Sequence, residues 1–464
     1  MARRKAGAAR DGLNIILVGC GKVGVSLVEK LSQEGHNITV VDRRASAVTA
    51  VTDLYDVSGV VGNGASYRIQ QEAGINEADV FISVTASDEL NLLCCTVAQK
   101  ASHCATIARV RTPDYSEDSQ YLKEKLGLAM VINPEREAAL AIARLLCLPT
   151  ALSVTSFAGG HAEMVRIRIP QNSKLDGRYL RELGKELAGP VLVCAVERSG
   201  QVYIPDGGFQ LASGDALTFI CPSRDSKQFL GRMGFETHQV HNALLIGGSK
   251  AAYYLARRLL AVGVQVRIIE ADMARCEELS NLLPRATILH GDGTDADLLR
   301  ETGILQAEAV VPLTGIDEEN ILLTLHARAV APGAKAVTKI NRIMFPEAVA
   351  RLDLGSVICP KHLTTDAILA FVRSRGASKN SNIEALLHMF DNRVEAIEFL
   401  AGEGSPLLDI PLRELALRDH LLIACLFRDN RTLIPGGDDC IQAGDRIIVV
   451  TTHTGLRELA EILA

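Results

Sequence analysis

The chain is an internal duplication, and this constrains its fold more than any other feature of the sequence. Gly247 follows Gly19 by 228 residues, and Glu270 follows Asp42 by the same 228 residues. Three further pairs of motifs keep an offset of 229 or 230: Gly62-Asn-Gly64 with Gly291-Asp-Gly293, Thr85-Ala-Ser-Asp88-Glu89-Leu-Asn91 with Thr314-Gly-Ile-Asp317-Glu318-Glu-Asn320, and Ser213-Gly214-Asp215 with Ala443-Gly444-Asp445. Landmarks that stay in register over about 200 positions predict that both halves build the same fold.

Each half is predicted to contain two domains of different type. In the first half, short β-branched segments alternate with helical ones, and the predicted strands are 15–18, 38–41, 57–61, 80–84, 106–110 and 130–132. This alternation favours a parallel sheet covered by helices on both faces. From about residue 150 strand-like segments dominate, at 165–169, 191–196, 202–204 and 217–220, with one helix at 178–187. We therefore expect an α/β chain: a tandem duplication of a Rossmann-like parallel-sheet domain followed by a small α+β domain.

The predicted domains are 13–148, 149–234, 241–372 and 380–464, which suits a chain of 464 residues. The polar stretch from Arg373 to Asn382 carries no periodic pattern and is predicted to be a linker.

Composition excludes several classes of function. The 49 Lys and Arg residues against 55 Asp and Glu residues give a net charge of −6, which argues against nucleic acid as the main ligand. The 11 cysteines contain no CxxC pair and are typical of a reducing cytoplasm. The 11 histidines form no metal-ligand cluster, and the pair that lies three residues apart, His238 and His241, falls in a predicted linker. No apolar run is long enough to cross a bilayer. We expect no metal site and no membrane span.

The first half contains a glycine-rich loop of the kind that binds the pyrophosphate of a dinucleotide. Gly19 allows the tight turn after the first strand, Gly21 lets backbone approach phosphate, and Gly24 permits close packing of helix on strand. The helix that follows offers N–H groups and the positive end of its dipole. The candidate binding residues of this loop are Gly19, Cys20, Gly21, Lys22, Val23 and Gly24.

Asp42 ends the second strand, at the spacing where a carboxylate hydrogen-bonds ribose hydroxyls. A carboxylate there disfavours a 2′-phosphate, so NAD is expected to be preferred over NADP. Arg43 and Arg44 follow directly and weaken that preference.

The second loop is degenerate. It keeps Gly247 but has Ser249 at the middle glycine position and Ala252 at the third. A serine side chain crowds the point where backbone approaches phosphate, whereas Glu270 still supplies a ribose-binding carboxylate. Both a second nucleotide and an empty structural copy are compatible with this pattern, and the empty copy is the favoured interpretation.

Further candidates lie after the later strands of each sheet, at the edge where ligands gather. Asn63 and Asp292 follow the third strands, Thr85 follows the fourth, and Arg109 ends the fifth. Helix capping explains part of this pattern, and Asp88 is interpreted mainly as a structural residue of a first helical turn. No His, Cys or Lys in the smaller domains stands in a paired arrangement suited to acid–base chemistry, so no catalytic residue is expected.

Taken in order, these motifs and Ile204-Pro205-Asp-Gly-Gly with Gly214-Asp215 resemble the regulator of potassium conductance (RCK, or KTN) domains. The second half repeats the set and ends with Ile434-Pro435-Gly-Gly and Ala443-Gly444-Asp445. The order RCK-N, RCK-C, RCK-N, RCK-C is similar to that of the cytoplasmic regulatory subunits of Trk potassium-uptake systems. The family's glycine loop and ribose acid match Gly19, Gly21, Gly24 and Asp42, and its rim arginine matches Arg109. Asn63 departs from the family, many members of which have aspartate there.

The resemblance implies a cytoplasmic subunit at the inner face of the membrane that binds NAD(H) or an adenine nucleotide such as ATP or ADP. It further implies a homo-oligomeric ring of RCK domains and a TrkH/TrkG-like potassium-translocating partner. Two alternatives remain open at this point. One is an NAD-dependent oxidoreductase on the same fold, and the other is a nucleotide-sensing subunit of a different ion transporter.

Overall fold

A computed structural model describes residues 12–186, 190–342, 349, 351–352, 354–376 and 381–464. The chain divides into two compact units, one ending at Pro134 and the other beginning at Glu135. The last residue of the predicted helix 178–187 and positions 377–380 of the predicted linker lie outside the described residues.

The first unit is built on a six-stranded parallel sheet in the order β3-β2-β1-β4-β5-β6. Its strands are β1 (Asn14–Val18), β2 (Asn37–Asp42), β3 (Ser58–Val61), β4 (Val80–Ser83), β5 (Ala105–Arg109) and β6 (Met130–Ile132). This is the strand order of the dinucleotide-binding Rossmann fold. Strands β2 and β3 are added on one side of β1, and β4 to β6 are added on the other side. At this reversal the carboxyl ends of β1 and β4 are adjacent, and the glycine loop lies there.

Helices cover this sheet, which explains why its central strands read as uninterrupted apolar runs. They are α1 (Lys22–Gln33), α2 (Ala45–Thr52), α3 (Tyr67–Glu72), α4 (Asp88–Ala101), α5 (Pro113–Glu117) and α6 (Ser119–Leu126). In α1, Leu27, Val28 and Leu31 are fully buried, at helical spacing on one face. All four residues of β4 are buried.

Helix α7 (Pro134–Cys147) belongs to the second unit from Glu135 onward and leads to a five-stranded antiparallel sheet in the order β10-β9-β11-β8-β7. The elements in chain order are β7 (Ser153–Phe157), β8 (Ala162–Arg168), α8 (Leu180–Glu186), β9 (Leu192–Arg198), β10 (Gln201–Tyr203), β11 (Ala216–Pro222) and α9 (Ser226–Arg232). The predicted strands and helix are present, whereas β7 and α9 were not predicted.

A second six-stranded parallel sheet follows, in the order β14-β13-β12-β15-β16-β17, and it repeats the first sheet strand for strand. Its elements are β12 (Asn242–Ile246), α10 (Lys250–Ala261), β13 (Gln265–Glu270), α11 (Met273–Leu282), β14 (Thr287–His290), α12 (Ala296–Glu301), β15 (Ala309–Pro312), α13 (Asp317–Val330), β16 (Lys335–Lys339) and β17 (Ser356–Ile358).

The unit closes with helix α14 (Pro360–Gly376) and a five-stranded antiparallel sheet in the order β18-β19-β22-β20-β21. Its strands are β18 (Ser381–Met389), β19 (Val394–Ala401), β20 (Leu421–Arg428), β21 (Arg431–Leu433) and β22 (Arg446–Thr451). The two α+β domains share an apolar core, in which Phe157 and Cys194 meet Phe390 and Cys425.

The repeated Gly-Asp motif of the α+β domains is structural. Asp215 is 1% exposed and accepts two hydrogen bonds of 2.7 Å from Arg198, and Asp445 accepts the same pair from Arg428 at 2.7 and 2.6 Å. Each arginine also donates to a backbone carbonyl, that of Gln210 or Cys440. A buried carboxylate is tolerated because a bidentate arginine compensates for its lost hydration.

The structure corrects both ends of the predicted linker between Arg373 and Asn382. Arg373 to Gly376 form the last turn of α14, and Ser381 begins β18. Arg373 is 2% exposed, and its guanidinium donates two hydrogen bonds, of 2.9 and 3.0 Å, to the buried carboxylate of Glu395. A polar residue in this stretch is therefore part of the interior, because its charge has a buried partner on β19.

None of the helices in the described part of the chain combines the length and the apolar character that a bilayer crossing requires. Each of the 11 cysteines is a free thiol, and nine are buried.

Candidate functional site

The glycine loop of the first unit joins β1 to α1 at the carboxyl edge of the sheet. Gly19 has a φ of +107°, and a Cβ atom on it would lie 3.1 Å from the carbonyl carbon of Val84. A Cβ atom on Gly24 would lie 1.9 Å from the carbonyl oxygen of Gly19. These two glycines are therefore required by the fold, the first for its backbone conformation and the second for close packing.

Gly21 is different. Its φ of −83° and ψ of −174° suit any residue, and a Cβ atom on it would meet nothing within 4 Å. Gly21 is the N-cap of α1, and no side chain caps the helix. The fold does not need a glycine here, but a glycine leaves clear space in front of the N–H groups of the first helical turn, which favour an anion.

Asp42 lies beside this loop and ties it to β2. Its Oδ2 accepts a hydrogen bond of 2.9 Å from the Cys20 N–H, and its Oδ1 accepts one of 3.0 Å from the Arg44 N–H. The Arg44 Nε lies 3.3 Å from the same Oδ1. Burial acts to raise the pKa of Asp42, but the hydrogen bonds from Arg44 and Cys20 outweigh it and lower the pKa below its usual value. The carboxylate is therefore ionised at neutral pH.

The loop after β3 lies next to Asp42, since Val61 pairs with Asp42 in the sheet and the Gly62 N–H donates to the Asp42 carbonyl. Asn63 is exposed in this loop, and its Oδ1 accepts a hydrogen bond of 3.2 Å from the Ala65 N–H. Asn63 therefore shapes the turn at the position where Asp292 stands in the second copy.

Thr85 and Arg109 are held together by Asn91, a residue that the sequence analysis did not single out as a site residue. Asn91 is fully buried on α4, and its Oδ1 accepts hydrogen bonds of 2.8 Å from the Thr85 N–H and 2.7 Å from the Thr85 hydroxyl. Its Nδ2 donates to the Arg109 carbonyl at 2.9 Å. The Arg109 Nη2 donates to the Thr85 carbonyl at 2.5 Å. The sequence contains one indication of this role: the same motif in the second half has an asparagine, Asn320, at the corresponding position.

Asp88 has a structural role at the start of α4. It is 3% exposed and accepts hydrogen bonds from the backbone N–H groups of Arg111 and Thr112, at 2.9 and 2.8 Å. Burial acts to raise the pKa of Asp88, but these hydrogen bonds outweigh it and lower the pKa.

The second glycine loop has the same backbone as the first but a different cap on the helix that follows it. Gly247 has a φ of +99°, in the same left-handed region as Gly19. The Ser249 hydroxyl accepts a hydrogen bond of 3.4 Å from the Ala252 N–H and caps α10. Glu270 accepts a hydrogen bond of 2.6 Å from the Gly248 N–H and another of 2.8 Å from the Asp272 N–H. Glu270 thus holds its loop as Asp42 holds the first one. The contact without a first-copy equivalent is the Ser249 cap, which uses one N–H group of the first helical turn.

The remaining second-copy candidates follow the first copy closely. The Asp292 Oδ1 accepts from the N–H and the hydroxyl of Thr294, each at 2.8 Å, and these hydrogen bonds lower the pKa of Asp292. Asn320 again joins the strand ends, since it accepts from the Thr314 N–H at 3.0 Å and donates to the Lys339 carbonyl at 3.0 Å.

In each copy, the sheet topology places the predicted residues at one carboxyl edge. The first-copy residues are Gly19, Cys20, Gly21, Lys22, Val23, Gly24, Asp42, Arg43, Asn63, Thr85 and Arg109. The second-copy residues are Gly247, Ser249, Glu270 and Asp292. In the described ranges, no three or more His, Cys, Asp or Glu side chains form a group that could hold a metal ion.

Comparison with known families agrees with the duplication. The TrkA-N domain model matches residues 15–134 and 243–360, and the TrkA-C domain model matches residues 164–234 and 396–464.

Similar proteins match along nearly their full length. A Trk system potassium uptake protein TrkA from Halomonas elongata is 30% identical over 441 residues, which cover 94% of this chain and 95% of that protein. A TrkA homolog from Archaeoglobus fulgidus is 28% identical over 451 residues, covering 97% of this chain and 100% of that protein.

Solved structures share the fold. The GsuK channel bound to NAD superimposes with a TM-score of 0.63 at 18% identity, covering 96% of this chain and 77% of that chain. The GsuK RCK domain superimposes with a TM-score of 0.64 at 17% identity, covering 96% of this chain and 93% of that chain.

The TrkA-N and TrkA-C domain models each match this chain twice, in alternation. The chain therefore belongs to the TrkA family.

Proposed function

We propose that this chain is a nucleotide-sensing regulatory subunit that gates a membrane potassium-uptake protein from the cytoplasmic face of the membrane, and that it is not an enzyme. Its relatives carry the name of the Trk potassium-uptake system, and a protein of the same fold is named as bound to NAD. The partner would be a TrkH/TrkG-like potassium-translocating subunit. The regulatory ligand would be NAD(H) or an adenine nucleotide.

The observation that carries the proposal is the space at Gly21. A pyrophosphate needs a close approach to backbone N–H groups at a helix N-terminus, and this is what an uncapped α1 with no Cβ atom at Gly21 provides. The ionised Asp42, at the end of the adjacent strand, accepts a hydrogen bond from the N–H of Cys20, the residue before Gly21, and would supply acceptors for ribose hydroxyls.

The second loop supports the assignment of sensing to the first. At the same backbone position, Ser249 places a hydroxyl against the first turn of α10 and takes one of its N–H donors. We infer that the second copy is chiefly structural.

Regulation would act by population shift. A nucleotide that binds one arrangement of the protein more tightly than another can bias the partner only by that difference in affinity. A homo-oligomeric ring of RCK domains would transmit the bias to the partner.

The test is Gly21→Val in the full chain. The backbone at Gly21 accepts valine and a Cβ atom there meets nothing, so the protein should fold normally while the branched side chain enters the space of the pyrophosphate. Calorimetry should show binding of NADH or ATP to the wild type and its loss in Gly21→Val. The matched control is Ser249→Val, which should bind as the wild type does.

Undiminished affinity in Gly21→Val would show that the nucleotide does not bind at this loop. Steady oxidation of NADH with a small substrate would contradict the regulatory role and favour an oxidoreductase. Potassium flux through the partner, measured with and without nucleotide, then tests gating directly.

A further inference from the structure

The two glycine-loop sites differ most in the charge beside the ribose carboxylate. Strands β2 and β3 are adjacent and parallel, so the residues that follow them lie at one edge of the sheet. In the first copy this edge carries one carboxylate, Asp42, and three exposed arginines, Arg43, Arg44 and Arg68. Its other two polar positions, Asn63 and Ser66, are neutral.

The same edge of the second copy is strongly acidic. Glu270 pairs with His290 at the ends of β13 and β14, as Asp42 pairs with Val61 in the first copy. The residues that stand in place of Arg44, Asn63, Ser66 and Arg68 are all aspartates: Asp272, Asp292, Asp295 and Asp297. Two cations near these carboxylates have no first-copy counterpart. Arg275 donates to the Gly248 carbonyl at 2.7 Å and pairs with Glu278 at 2.6 Å, and the Arg300 Nη1 lies 3.2 Å from the Asp297 Oδ1.

Helix capping does not account for this difference. Asp272 and Asp295 cap α11 and α12 with their side-chain oxygens. A neutral hydroxyl performs the same task elsewhere in the chain, since Ser87 caps α4. The aspartate at 297 is not an N-cap. The fold therefore does not require a charge of either sign at this edge. The exposed charges there are mainly positive in the first copy and mainly negative in the second.

Arg44 is placed to act on a ligand at the ribose. Its Nε lies 3.3 Å from the Asp42 Oδ1, so the guanidinium is held beside the carboxylate that would face the ribose hydroxyls. The Arg44 side chain is 67% exposed, which leaves it accessible. This pairing offsets the negative charge of Asp42, and a guanidinium offers several N–H donors in a planar fork that suits phosphate.

We propose that the first site accepts a dinucleotide phosphorylated at the 2′ position of its adenosine ribose at least as well as the unphosphorylated form, and that the second site excludes it. Arg43 and Arg44 are the residues that determine this specificity. The inference rests on the proposed binding of nucleotide at the first glycine loop. It also revises the expectation, drawn from Asp42 alone, that a 2′-phosphate is disfavoured.

The experiment compares NADH with NADPH on the full-length protein. The two ligands differ only in the 2′-phosphate, and the chain has no tryptophan, so the fluorescence of the reduced nicotinamide is observed without an indole background. The variant is the double substitution Arg43→Ala and Arg44→Ala. The matched control removes two positive charges elsewhere, by Arg224→Ala and Arg232→Ala.

Wild type should bind NADPH with an affinity equal to or above that for NADH. The Arg43→Ala, Arg44→Ala variant should bind NADPH about 10-fold or more weakly, the effect of losing charge-assisted hydrogen bonds, while its NADH affinity stays within about 3-fold. The control variant should keep the wild-type ratio. The NADPH preference should also weaken as salt is raised.

NADPH binding much weaker than NADH binding in the wild type would overturn the inference and leave the proposed function intact. An equal loss of both ligands in the arginine variant would overturn it too, because the arginines would then act on something other than the 2′-phosphate. Failure of every nucleotide to bind would instead reject the proposed function. NADPH binding to Gly21→Val would contradict exclusion by the second site.

Discussion

Asp42 has two tasks, one structural and one proposed for ligand binding, and both bear on any substitution there. Its oxygens accept hydrogen bonds from the N–H groups of Cys20 and Arg44, which hold the glycine loop against β2. Replacement by alanine would disturb the loop as well as the ribose contact. An amide keeps the shape and one acceptor, so Asn is the more informative substitution. Glu270 holds Gly248 in the same way in the second copy.

We predict that Asp42→Asn weakens NADH binding by the full chain and that Glu270→Gln does not. A charge-assisted hydrogen bond contributes roughly 1.5–3 kcal/mol, which corresponds to about 10- to 150-fold in affinity. Calorimetry gives the affinities, and potassium flux through the partner gives the regulatory effect. The opposite ranking, with Glu270→Gln the damaging change, would move the sensing site to the second copy.

Among the elements, α14 is attached to its sheet through buried charged side chains. Besides Arg373 and Glu395, the cluster includes His388 on β18, whose Nδ1 lies 2.8 Å from Asp366 on α14 and whose Nε2 lies 3.3 Å from Glu395. Burial acts to lower the pKa of His388, but the hydrogen bonds to Asp366 and Glu395 outweigh it and raise the pKa to about 9. Burial acts to raise the pKa of Glu395, but His388 and Arg373 lower it to about 2.

These shifts predict how stability depends on pH. The folded pKa of His388 lies above its usual 6.5, so its contribution is complete below pH 6.5 and is lost as the pH rises towards 9. The folded pKa of Glu395 lies below its usual 4.5, so its contribution is complete above pH 4.5 and is lost as the pH falls towards 2. His388→Gln should remove the alkaline decline in the melting temperature of the second unit. A decline of the same size in this variant would contradict the role of His388.

A matched pair of glutamates tests the acidic partner. Glu163 holds the position of Glu395 in the first α+β domain, but burial raises its pKa despite a hydrogen bond from Ser226. Breaking a buried ion pair costs about 3–5 kcal/mol, so Glu395→Gln should be strongly destabilising at pH 7. Glu163→Gln should change the free energy of unfolding little, because an uncharged amide replaces an acid whose burial is poorly compensated. Urea unfolding measures both, and equal costs would contradict the difference between the two copies.

At the scale of the whole molecule, duplication has produced two halves that share a fold but not their surfaces. Leu93 on α4 and Leu322 on α13 occupy the same position in the two copies and are 53% and 66% exposed. A single exposed leucine is common on protein surfaces, so these two residues do not by themselves show an interface. We expect them to lie at the contacts between copies in the proposed ring, because association would bury them.

Light scattering at micromolar concentration should report a multiple of the 49.9 kDa chain mass. The double substitution Leu93→Glu and Leu322→Glu should reduce that multiple, because it places charges in a surface that association would bury. Exchange of the exposed Leu54 for Glu is the control and should leave the mass unchanged. A wild-type protein that stays monomeric would count against the ring.

The sequence by itself determined the duplication, the positions of the parallel strands and the two glycine loops, because these depend on residue patterns and on short-range backbone chemistry. Gly19 and Asp42 could be found from spacing alone. The tertiary structure decided which side chains are partners, since these contacts join residues about 20 positions apart that only the sheet order brings together. Asn91 reaches the Arg109 carbonyl across 18 residues, and Arg373 meets Glu395 across 22. Residues 373–376 were wrongly predicted as part of a linker for this reason, because an arginine is expected to be exposed until its buried carboxylate partner is known.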